Sequence, residues 1–204
     1  MKRSTKRSSI MHRWNGARTT LLAVLLMSLS VGAARAASVS QAGVLFLKIS
    51  PGARPGGMGE AFVALADDAT ATWWNPAGLA FQDGKEVTMM HVNWLPQFKL
   101  NDLYYDFISY AHHVPDWGTF GGNIVFLNLG ETERTNEFGQ TLGTFSSYEF
   151  ALTGSYGSVM SDNMSLGVNM RYIYSHLSDR GAGAELGSGV ATSIGVDIGW
   201  LYKV

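Results

Sequence analysis

The chain has no cysteine. That excludes a disulfide framework, a thiolate metal site and a cysteine nucleophile. Charge is scarce too: Asp, Glu, Lys and Arg make up 15% of the 204 residues, against about 25% in an ordinary soluble domain. Acids are missing altogether from the first 36 residues, which hold the seven bases Lys2, Arg3, Lys6, Arg7, Arg13, Arg18 and Arg35. The formal net charge of −1 hides this asymmetry, because residues 37–204 carry eight bases and sixteen acids. A chain of that balance lacks the basic face that phosphate binding requires, so nucleic acid is excluded as a partner. Long apolar runs are also lacking. Leu21–Val31 is only 11 residues, short of the roughly 20 that span a bilayer as a helix. If the chain crosses a membrane, it does so as a β-barrel. What it has in quantity is glycine (24 residues) and aromatics (12%), the composition of a β protein that meets an apolar solvent.

The first 36 residues read as an address. A basic polar stretch at 1–20 precedes the apolar run, and Ala34-Arg35-Ala36 supplies small residues at both key positions of an A-x-A cleavage site. Together these make a secretory signal peptide. Residues 37–85 follow as a separate segment. Ser50–Gly59 is turn-rich, Glu60–Trp74 is alanine-rich and reads as one or two short helices, and Asn75-Pro76 reads as the start of a second helix. There Asn75 caps and Pro76 stands where no N–H is needed.

From Glu86 to Val204 the period changes to two, and six strands are expected, at 86–94, 103–113, 118–129, 145–157, 164–175 and 190–202. In the fourth, Tyr148, Phe150, Leu152 and Tyr156 oppose Ser147, Glu149, Ala151, Thr153 and Ser155. In the sixth, Ile194, Val196, Ile198, Trp200 and Tyr202 oppose Ser193, Gly195, Asp197 and Gly199. The second strand is apolar on both sides, which fits a wall whose inner side is covered by the N-terminal segment. A secreted sandwich alternates as well, but three features favour an antiparallel outer-membrane β-barrel. Aromatics mark both ends of the apolar faces, Tyr148, Tyr172 and Tyr174 at one rim and Tyr156, Trp200 and Tyr202 at the other. The connections alternate in length, 114–117 and 158–163 being short and 95–102, 130–144 and 176–189 long, as barrels alternate periplasmic turns with outer loops. The leader delivers the chain to the periplasm. Glu149, Arg171 and Asp197 share the polar side on adjacent strands, and this predicts a cross-strand row of lumen-facing charges.

The segment Ala42–Ala80 resembles the N-terminus of the PorV/PorQ family, within the wider FadL-like group of outer-membrane barrels. The likeness is carried by Phe46-Leu47-Lys48-Ile49, Gly52-Ala53-Arg54, Gly57-Met58-Gly59-Glu60-Ala61-Phe62, Asp67-Asp68-Ala69 and the box Trp74-Asn75-Pro76-Ala77-Gly78-Leu79. The resemblance implies a bacterial outer-membrane barrel whose N-terminal segment folds into the lumen as a small helical hatch. It also implies a non-enzymatic role in type IX protein secretion or surface attachment. The partners would be outer-membrane lipid, other secretion-system proteins and the C-terminal domains of exported proteins. FadL-like transport of hydrophobic small molecules is the alternative. Family members look like barrels of roughly fourteen strands, and the smallest single-chain barrels have about eight, so six strands are expected to be a partial barrel, an N-terminal piece of a longer protein or a truncated gene product.

No enzyme is expected. His91, His112, His113 and His176 have no spacing that ties one to a serine and an acid. Gly52–Gly59 is not followed by Gly-Lys-Ser/Thr, so it is not a phosphate loop. No metal or cofactor is implied. Asp67 and Asp68 read as an ion site or as partners of a helix end, and Trp73, Trp74 and Phe62 as anchors of the hatch.

Overall fold

The computed structural model describes residues 44–94, 97, 102–136, 138–178 and 189–204. The chain divides into Met1–Gln41 and Ala42–Val204, and every described residue belongs to the second unit. The leader at 1–36 and residues 179–188 of the connection expected at 176–189 lie outside the described residues.

Six strands form where the period-two pattern predicts them: β1 (Lys85–Asn93), β2 (Leu103–Val114), β3 (Gly118–Thr135), β4 (Thr141–Ser161), β5 (Met164–Ser178) and β6 (Gly189–Tyr202). They make one antiparallel sheet in sequence order, so each hairpin places neighbours in sequence side by side. The sheet is open among the described residues. No helix among them is long and apolar enough to cross a membrane.

The side that is covered decides the fold class. Along β4, Ser147, Glu149, Thr153 and Ser155 are buried, while Leu152 between them is 52% exposed. Register aligns Met89, Ile108, Ile124, Leu152, Tyr172 and Ile194 in one row, and every one of them except Tyr172 and Ile108 is at least 48% exposed. A soluble sandwich buries such a row and leaves the serines in water. Here the polar side is covered and the apolar side open, the inverted polarity of a partial barrel.

β3, β4 and β5 run further than the sequence pattern suggests, β5 ending at Ser178. The long connection expected at 130–144 contracts to Asn136–Gln140, because Glu131–Thr135 continues β3 and pairs with Thr141–Ser146, with register shifts at Asn128/Glu131 and Arg134/Thr135. Glu131–Thr135 is polar on both faces, so no apolar alternation marks it; beside the backbone pairing, the Thr141 hydroxyl donates to Glu133. The Asn136 side chain closes the turn by accepting from the amides of Phe138 (3.0 Å) and Gln140 (2.9 Å). Likewise the turn expected at 158–163 narrows to 162–163.

The helical expectations for 50–74 are partly overturned. Ser50–Gly59, read as turns, winds a short helix α1 (Ala53–Gly57) after Gly52 at φ 106°. Within Glu60–Trp74 only α2 (Ala71–Trp74) is an α-helix. Gly59, Glu60 and Ala66 stand at positive φ (61°, 66° and 35°), and a right-handed helix cannot pass through residues in that region. Two 3₁₀ turns complete the segment, at Leu45–Lys48 and Pro76–Phe81.

Candidate functional site

Among the described residues, the buried part of the N-terminal segment packs on the covered face of the sheet in two apolar clusters. Phe46 packs with Tyr105, Phe107, Val125, Leu127, Ala151 and Ile173. Phe62, Ala66, Ala69, Ala71 and Leu79 pack with Ala111. This explains why β2 is apolar on both sides: Tyr105 and Phe107 face the segment, and the Tyr105 hydroxyl donates to the Ile49 carbonyl at 3.1 Å.

The Asn75-Pro76 box is the centre of the docking. Asn75 adopts extended backbone and its Oδ1 accepts from the Ala77 amide at 3.1 Å, capping the 3₁₀ turn, with Pro76 at the first helical position. Its Nδ2 donates to the carbonyls of Val63 (3.0 Å) and Trp200 (3.2 Å). One side chain thus ties the turn, the preceding loop and β6 together. Beneath it, register aligns Gly157, Gly167 and Gly199 across β4, β5 and β6. A Cβ on Gly157 would meet Pro76 O at 2.6 Å and Ala80 N at 2.9 Å, and one on Gly199 would meet Pro76 Cδ at 2.9 Å. The glycines form a floor on which backbone lies directly. Gly78 performs the same service for Ala66. The sequence reading missed this floor. Its only signal is that three glycines recur on the small-residue faces at positions the register brings level.

Elsewhere in the predicted motif, Gly57 ends α1, Met58 is exposed and Gly59 turns the chain. Trp74 donates its indole N–H to the Pro51 carbonyl at 3.1 Å and meets Phe62 edge-on at 6.0 Å. Asp68 Oδ1 accepts from the Thr70 amide at 2.8 Å, just ahead of α2. Asp67 takes both terminal nitrogens of Arg54, at 2.6 and 3.0 Å. The guanidinium also lies 5.2 Å from the centre of the Phe62 ring.

That hydrogen-bonded guanidinium holds the Asp67 carboxyl below its ordinary pKa. A carboxyl that binds its proton less readily when folded adds stability above the ordinary carboxylate range, and loses it as pH falls through the lowered value. Both groups are largely exposed, so the effect is local and small. Acidification is expected to speed hydrogen exchange of amides 54–66 beyond the intrinsic pH effect. Asp67→Asn should raise that exchange at neutral pH and abolish the acid dependence; an unchanged pH profile in the variant would show that the pair does not tether the loop.

Glu149, Arg171 and Asp197 stand at three different register positions rather than in one row. Arg171 Nη2 donates to Asp197 at 3.1 Å and its Nε to Thr153 Oγ1 at 3.2 Å, with the guanidinium 4.9 Å from the centre of the Trp73 ring. Glu149 stands two rows away, opposite Ser175, whose hydroxyl donates to it at 2.7 Å. Arg171, Asp197, Asn169, Trp73 and Asn75 line a cleft of about 510 Å³ beside β6.

On the open face, rings run across the sheet near one end: Tyr104–Phe126, Phe126–Tyr148 and Tyr148–Tyr174, each at 6.0–6.1 Å. Phe120–Tyr156 (5.0 Å) and Trp200–Tyr202 (6.5 Å) lie toward the other. Tyr172, assigned to the first rim, sits further in, opposite Leu152 and Ile194. His112 and His113 fall on opposite faces; His113 contacts Thr119 and His91 pairs with Asp106 at 2.6 Å. Among the described residues no group of three or more His, Asp or Glu could hold a metal.

The family model for type IX secretion system protein PorV matches residues 32–204. The chain belongs to the PorV family. The match covers every strand of the sheet as well as the N-terminal segment, so the relationship extends beyond the Ala42–Ala80 motifs. PorV is a secretion-system family, not an enzyme family, and membership associates this chain with type IX secretion. Comparison with the curated proteins finds no match.

Proposed function

We propose that this chain is a non-enzymatic outer-membrane barrel protein that serves type IX export or the surface attachment of exported proteins. In this reading the leader at 1–36 is removed, 37–85 is a hatch inside the lumen and 86–204 is wall. Outer-membrane lipid lies against the open apolar face. Secretion-system proteins and the C-terminal domains of exported proteins are the macromolecular partners. The observation that carries the reading is the PorV match over 32–204, on a sheet whose apolar side is the uncovered one.

FadL-like transport has one observation in its favour, the cleft walled by Leu47, Val63, Trp73 and Trp200. Against it, Arg171 and Asp197 occupy the same cleft, and Trp74 is engaged in packing. Deleting the gene in its source organism is expected to leave cargo bearing the secretion C-terminal domain in the periplasm. Cargo reaching the surface at the parental level overturns the export role. Impaired uptake of a long-chain acid with export intact would support transport instead.

A further inference from the structure

Between the two apolar clusters the covered face carries a polar band. Register sets Ser109 beside Asn123 and Asn123 beside Thr153; one row along, Ser155 stands beside Asn169. All are buried, Asn123 at 2% and Asn169 at 0% exposure. Both amide atoms of Asn123, the hydroxyls of Ser109 and Ser155, and Oδ1 of Asn169 find no hydrogen-bond partner among the described residues. The band is roofed by α2, for Asn169 Nδ2 donates to the Thr72 carbonyl at 2.9 Å and Trp73 lies against Arg171.

Buried polar atoms are paired in native proteins, and five open valences on adjacent positions need an occupant. The chemistry selects which. A bound cation takes oxygens only, which would strand the Asn123 Nδ2 donor; the nearest carboxylate, Asp197, accepts from Asn169 Nδ2 at 3.3 Å and is already paired with Arg171. An anion would leave the acceptors Asn123 Oδ1 and Asn169 Oδ1 unserved. Water both donates and accepts. Directly opposed residues hold their Cβ atoms about 4.5–5.5 Å apart, and side chains that do not reach each other across that gap can be bridged by one molecule. A buried water needs two to four polar partners, and each of the pairs Ser109–Asn123 and Ser155–Asn169 offers at least two atoms.

We infer that these two pairs each bind ordered water, forming a hydrated seam beneath α2 that meets the cleft at Asn169. The seam separates the two apolar anchors of the N-terminal segment, so the segment is clamped to the wall at both sides of a wet strip rather than over a continuous dry contact.

The test is a crystal structure of the full chain in detergent, at a resolution that shows solvent. Density within hydrogen-bond distance of Asn123 and Ser109, and of Ser155 and Asn169, supports the seam. Dry density, or an Asn123 amide turned onto a protein group, overturns it. A peak coordinated by oxygens alone, away from Nδ2, replaces water with a cation and overturns it too. In Asn123→Leu the peak beside Ser109 should vanish while the one beside Ser155 and Asn169 remains; persistence of the first would show that Asn123 does not hold it.

Discussion

Gly167→Ala is expected to dislodge the N-terminal segment from the sheet, while Gly154→Ala on the adjoining strand is expected to be nearly silent. The added atom is the same, a single methyl, and neither glycine stands at positive φ. The surroundings differ. At Gly167 the new Cβ would fall inside van der Waals contact of Pro76 C and Ala77 N, whereas at Gly154 nothing lies within 4 Å. The obstacles at Gly167 are backbone atoms, which cannot swing aside as a side chain does. Ala77 is also pinned, its amide held by Asn75 Oδ1 and its carbonyl accepting from Ser165 Oγ at 2.8 Å. Overpacking a tight contact typically costs about 1–3 kcal/mol, and a clash with fixed backbone belongs at the upper end. Gly154→Ala carries no such cost and lowers the entropy of the unfolded chain, worth about 0.4–1 kcal/mol in the opposite direction. Midpoints of thermal unfolding and protease resistance of residues 44–82 measure both. Equal behaviour of the two variants would mean that the Pro76 turn does not rest on the glycine floor.

The sheet was legible in the sequence because two signals coincide there. In β4 to β6 apolar and small residues alternate over most of each strand, and a slip of one residue would turn every side chain to the wrong face. β2 defeats that signal, since Tyr104 and Ile108 on one side alternate with Tyr105 and Phe107 on the other. It becomes intelligible only with Phe46 and Ile49 laid across it. The extension of β3 through Glu131–Thr135 was illegible for the opposite reason, having no apolar face at all. In the N-terminal segment Asn75-Pro76 declares its own turn, because capping is local chemistry. The run 60–66 looks helical by composition, yet its backbone is set by docking of Phe62 and Ala66 against the sheet, a tertiary effect that outweighs propensity. The charges at Glu149, Arg171 and Asp197 could be assigned to one face but not to one row, because row depends on register, and the offset between β4 and β5 is fixed by a hairpin turn shorter than the pattern implied.

The open face makes the larger prediction. Ile124→Arg is expected to block or severely weaken assembly of the sheet in a membrane, and Thr132→Arg on the same strand to leave it unaffected. Both positions are exposed, Ile124 at 48%. In water, therefore, both substitutions would fall within about 0.5 kcal/mol of neutral, and the arginine at 124 would improve solubility. Hydrocarbon reverses the expectation. Ile124 lies between Ile108 and Leu152 in the middle row of the apolar face, with the ring-bearing rows on either side of it. Tyr148 to Tyr156 is nine residues, the length with which a tilted strand crosses the apolar band (about 9–11 residues). An arginine at the midplane of that band costs about 2–4 kcal/mol, falling to about 0–1 near the interfaces. Thr132 lies in the polar extension of β3, opposite Phe145 and beyond the ring at Phe126, where the side chain reaches water. Folded fraction in lipid vesicles, read by the heat-dependent gel mobility of the full chain, distinguishes the two environments. A large loss at 124 with none at 132 places hydrocarbon against Ile124. Two neutral substitutions, with a more soluble chain at 124, would remove lipid from the open face and leave an apolar surface that some protein must cover.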